Sequence, residues 1–67
     1  MNVEEVRETL ILLLKRMHRE GRSCGCMANH EIPAAIESLK TASDYAVGTA
    51  LRQLEPYFED YTQPAGR

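Results

Sequence analysis

No run of apolar residues in this 67-residue chain approaches the roughly 20 needed to cross a bilayer, so no membrane-spanning helix is expected in it. Basic residues are missing from the N-terminus, where Glu4 and Glu5 stand instead, and a signal peptide is not expected either. Cysteine is scarce. Cys24 and Cys26, one residue apart, are not the framework of a secreted disulfide-stapled domain, and the expected location is cytoplasmic. Excess positive charge is lacking too: the net charge is −2 and the sequence pI about 5.6, whereas non-specific nucleic-acid binders are usually basic. The chain has no phosphate-cradling glycine loop, no nucleophile elbow and no carboxylate pair placed across a cleft. It is also short for an enclosed pocket, so no enzymatic activity is expected.

What is present belongs to a small globular domain. Hydrophobic residues make up 43% and charged residues 27%, which argues against wholesale disorder. The length allows one domain near the lower limit for folding on its own core, expected over residues 1–62, with 63–67 as a flexible tail.

Three helices are predicted, giving an all-α fold. "NVEEVRETLILLLKRMHREG" places Asn2 as a cap, acids in the first turn, bases in the last and Gly21 at the stop. Val3, Val6, Leu10, Leu13, Leu14 and Met17 recur on one face at helical spacing. "RSCGCMA" reads as a loop. "NHEIPAAIESL" reads as a short second helix capped by Asn29, with Pro33 near its start and Ile32, Ala35, Ile36 and Leu39 buried. "ESLKT" is the turn. In "TASDYAVGTALRQLE" the spacing of Thr41 and Asp44 predicts a capping box. Ala46, Val47, Ala50, Leu51 and Leu54 form the apolar side of this third helix, and Pro56 is expected to interrupt or restart it.

The succession of a long helix, "NHEIPAAI", a turn and "YAVGTALRQLE" resembles the helix-turn-helix core of prokaryotic and phage winged-helix regulators. The likeness covers about residues 28 to 55 and lies mostly in core positions. It implies a supporting helix around Ile32 and a recognition helix carrying Val47, Ala50, Leu51 and Leu54. Only 13 residues follow Leu54, and "PYFEDYT" has no hairpin turn, so the wing is expected to be absent or reduced. Carried over, the resemblance puts Ser43, Tyr45, Gly48, Thr49 and Arg52 on the side facing a DNA groove, with Lys40 near a phosphate. Arg can bond guanine edges or phosphate, Ser and Thr can bond phosphate, and Tyr can stack or bond to the backbone. Lys15, Arg16, Arg19 and Arg22 cluster at the end of the first helix, and the first three offer further phosphate contacts, although cations there also complement the helix dipole. The implied partner is double-stranded DNA, and so few cations favour binding as a homodimer.

A second function class rests on Leu12. It points opposite the apolar stripe among Glu5, Glu8, Lys15 and Arg19, with Ile11 at the flank, so this side of the helix is a candidate for burial against the C-terminal segment or for self-association with another subunit. With the acidic balance and the missing wing, it supports a protein-interaction module that binds a polymerase, nuclease or regulator through Leu12, Glu5 and Glu8. The segment Tyr57–Tyr61 is the other candidate surface. Finally, Cys24, Cys26, His30 and His18 supply the atoms of a Cys2His2 zinc set. Cys-x-Cys is tighter than the usual ligand spacing, however, and a cysteine plugging the space between the first two helices is the simpler expectation.

Overall fold

The computed structural model describes residues 2–62, with side chains through Glu59, and the tail expected at 63–67 lies outside the described residues. It is all-helical in its regular structure. Helix α1 spans Val3–Arg19, a 3-10 turn over Asn29–Glu31 leads into α2 at Ile32–Thr41, and α3 spans Asp44–Thr62. No strand occurs among the described residues, so none of them forms a wing. An isolated bridge between Cys24 and Met27 is the one β-type pairing there.

Helix α1 forms as its sequence dictates. The Asn2 side chain accepts the Glu5 N–H at 2.8 Å, and Glu4 and Glu5 occupy the positive end of the dipole. At the other end Gly21, at φ 76, takes the left-handed conformation that a side chain would strain. The Arg22 N–H then donates to the Met17 carbonyl at 2.9 Å and the Gly21 N–H to His18 at 3.1 Å, the paired bonds of a Schellman stop.

Leu10, Leu13, Leu14 and Met17 of α1 are buried against Ile32, Ile36 and Leu39 of α2 and Val47 and Leu54 of α3. Both later helices pack on α1, whereas α2 and α3 hardly approach each other. Helix α1 is the keel of the fold. Helix α2 returns alongside it, so that the turn at Ala42 lies near Arg7. Helix α3 then runs back until Tyr57 reaches the loop that follows α1.

Four local expectations need correction. Asn29 does not cap α2. Its amide nitrogen donates to the carbonyls of Arg22 at 2.7 Å, His18 at 3.2 Å and Met17 at 3.5 Å, so it closes the end of α1 instead. The start of α2 is held by Glu31, whose carboxylate accepts the Ala28 N–H at 2.8 Å, and Pro33 sits in the first helical turn, where its missing N–H costs little. Thr41 does not cap α3. Helix α2 continues through it, the turn shrinks to Ala42 and Ser43, and the Ser43 hydroxyl accepts the Ala46 N–H at 3.2 Å. Pro56 does not end α3. It is exposed, so water can reach the Arg52 carbonyl that loses its donor, while Tyr57 and Phe58 stay in phase to pack on the core. Ala46, expected inside, is exposed.

Arg7 was not distinguished by sequence pattern. Its guanidinium, largely buried, donates to the Leu39 carbonyl and to that of Ala42 at 2.9 Å, and pairs with Glu4 at 3.4 Å. It satisfies the end of α2 and fixes the turn from which α3 departs.

Candidate nucleic-acid interface

Helix α3 turns Val47 and Leu54 inward, which leaves Tyr45, Gly48, Thr49 and Arg52 along one line at spacings of three, four and seven residues. Tyr45 is 84% exposed, an unusual position for a large aromatic ring. Nothing lies within 4 Å of where a Gly48 side chain would begin, so the backbone there is open to close approach. Thr49 is half-buried and Arg52 exposed, and among the described residues Arg52 makes no ion pair. The stripe therefore offers an aromatic ring, a hydroxyl and a guanidinium around a flat spot in the helix surface.

Its surroundings are mixed. Ser43 spends one lone pair on the helix cap but keeps its O–H for an acceptor such as phosphate. Lys40, at the end of α2, is held by Glu37 at 2.8 Å in an exposed pair, a weak restraint. Glu55 and Glu59 border Arg52 on its C-terminal side. The basic cluster of α1 is not gathered with these residues. Lys15, Arg16 and Arg19 lie on the face of α1 turned away from both other helices, and Arg16 pairs there with Glu20 at 3.3 Å. Arg19 is also about 18 Å along α1 from Arg7, beside which α3 begins.

The cysteine loop is ordered by its own hydrogen bonds. Cys24 and Met27 exchange two backbone bonds of 2.9 Å each, around a tip of Gly25 and Cys26. Gly25, at φ 59, takes the left-handed conformation the tip requires and donates its N–H to the Tyr57 hydroxyl at 2.6 Å. The tip sends the two thiols opposite ways: Cys24 is buried in the core and Cys26 is exposed, both free. His18 and His30 are exposed. Among the described residues no three His, Cys, Asp or Glu side chains converge to hold a metal, so the zinc set is not assembled, and Cys24 is the apolar plug instead.

Burial pushes the Cys24 thiol above its ordinary range. Ellman's reagent at pH 8 is expected to react with Cys26 at once and with Cys24 only on unfolding; equal rates would place Cys24 outside the core. The sign of the linkage is definite. A raised folded-state value makes the thiol's contribution to stability complete below the unfolded cysteine range, near 8.5, and diminishing as pH rises above it.

Between α2 and α3 lies an open groove of about 620 Å3, floored by Leu14, walled by Ala35, Leu39, Ala50 and Leu54, and closed at one end by the cysteine loop and Tyr57. No described helix is long and apolar enough to cross a membrane. No family model, curated protein or solved structure matches the chain.

Proposed function

We propose that the protein is a small helix-turn-helix DNA-binding protein, acting in transcription regulation or DNA maintenance, whose α3 enters the major groove. The observation that carries this reading is the exposed stripe of α3. Tyr45 and Arg52, both exposed, bracket the half-buried Gly48, beside which nothing stands within 4 Å of where a side chain would begin. Arg52 would bond a guanine edge or a phosphate, Tyr45 and Thr49 would take backbone oxygens, and Lys40 and Ser43 would hold phosphates at the helix start. Arg7 supports the reading indirectly, because it fixes the turn that aims α3.

The test is fluorescence anisotropy with random-sequence duplex DNA from low to physiological salt. Saturable binding that weakens steeply with salt is expected, and on a preferred site selected from that pool Arg52→Ala should cost about 1–3 kcal/mol, a factor of roughly 5 to 150. An Arg52→Ala protein that binds as well as the parent removes the proposed reader. No binding even at low salt overturns the DNA function.

The apolar groove between α2 and α3 favours a second reading, a protein-interaction module on the same three helices. Apolar anchors of a partner helix are the usual occupants of such grooves. A polymerase, nuclease or regulator would then be the target, and failure of the DNA test would direct attention there.

A further inference from the structure

The outer face of α1 carries a charge pattern that is symmetric about one residue. Glu5, Glu8, Leu12, Arg16 and Arg19 recur at spacings of three, four, four and three, and all five are exposed. They lie opposite the buried line of Leu10, Leu13, Leu14 and Met17, so no other part of the described fold covers them. Leu12, at the centre, is 65% exposed. Both acids precede it and both bases follow it.

Such an order is complementary to its own reverse. We infer that α1 pairs with α1 of a second copy of this chain, antiparallel, about a two-fold axis at Leu12. Leu12 then meets Leu12, Glu8 of each copy faces Arg16 of the other, and Glu5 faces Arg19. Four interchain ion pairs flank one apolar contact. A parallel pair would set acid against acid and base against base, so the pattern selects the antiparallel arrangement. Self-complementarity of one patch is what an isologous two-fold interface requires.

The existing contacts allow it. Glu4 is directed to Arg7 and lies off the edge of the stripe. Arg16 holds Glu20 in an exposed pair, which can be shared or exchanged at little cost. Thr9 and Lys15 border the stripe and would face each other across the axis. One helix face is a small interface, so the dimer is weak, and because its pairs are exposed it loosens with salt. The inference does not depend on DNA binding.

Sedimentation of the whole chain tests it. The wild type is expected to pass from monomer to dimer with concentration and to shift back as salt rises. The Glu5→Lys/Glu8→Lys protein has a wholly basic stripe, and the Arg16→Glu/Arg19→Glu protein a wholly acidic one. Each is expected to be monomeric alone, and an equimolar mixture to dimerise at least as well as wild type. Leu12→Asp, which leaves both helix ends intact, should be monomeric as well, and far-UV circular dichroism confirms that each variant is folded. A wild type monomeric up to about 1 mM overturns the inference, as do charge variants that dimerise alone or a mixture that stays monomeric. Should a charge variant fail to fold, Leu12→Asp decides: a dimer like the parent's rejects the interface.

Discussion

Leu10→Ala is expected to leave the chain largely unfolded at 25 °C. Leu10 is fully buried on the inward face of α1, within the cluster shared by all three helices. Truncating such a leucine costs about 2.7–5 kcal/mol, from lost transfer energy and from the cavity left behind. A core this small rarely supplies more than about 3–5 kcal/mol of net stability, so the loss is comparable to the whole. The check is a urea titration followed by circular dichroism, with Leu12→Ala as the control. That residue is the same type two positions on, yet its replacement should change monomer stability by less than about 0.5 kcal/mol. A Leu10→Ala protein as stable as the control would mean that α1 presents a different face to the core.

Asn29→Asp is expected to destabilise the fold by about 2–3 kcal/mol. The substitution keeps shape and replaces an NH2 donor by a carboxylate oxygen. The amide now serves the carbonyls of Arg22, His18 and Met17, and a carboxylate placed there can donate to none of them while its charge opposes the negative end of the α1 dipole. The opposite role makes the opposite prediction: were Asn29 an N-cap of α2, aspartate would serve equally well. Chemical denaturation at pH 7 separates the two. Unchanged or increased stability would return Asn29 to the start of α2.

That contrast shows where reading the residues in order succeeds and where it stops. Helix α1 was legible because its signals are local: a cap at Asn2, a left-handed stop at Gly21 and a stripe of period 3.6 between them. The all-helical class follows from the same periodicity in α2 and α3. Asn29 was misplaced because an asparagine can accept through its oxygen or donate through its nitrogen, and which it does depends on a helix end 7 to 12 residues away. The cap of α3 slipped by two residues because Thr41 and Asp44 match a capping box as well as Ser43 matches a simple cap, and only the continuation of α2 through Thr41 decides. Arg7 gave no motif. Its one signal is a cation at the border of an apolar face, and its acceptors lie 32 and 35 residues on. The stripe from Tyr45 to Arg52 follows from spacing alone, whereas the open groove beside it follows from the divergence of α2 and α3, which no local pattern encodes. The mirror order of charges about Leu12 is written in the sequence, but its meaning depends on α1 having a bare side.

The same divergence orders the assembly of the chain. Helices α1 and α2 are neighbours in sequence and lie side by side, and contacts so local form early. Helix α3 packs on the same α1 through residues more distant in sequence, with Arg7 fixing the turn before it and Tyr57 bonded to the cysteine loop near its far end. Because its contacts span the longer stretch of chain, α3 is expected to exchange its amide hydrogens ahead of the α1–α2 pair, and equal protection of all three helices would count against this order. The helix that bears the exposed stripe is therefore the one expected to open on its own.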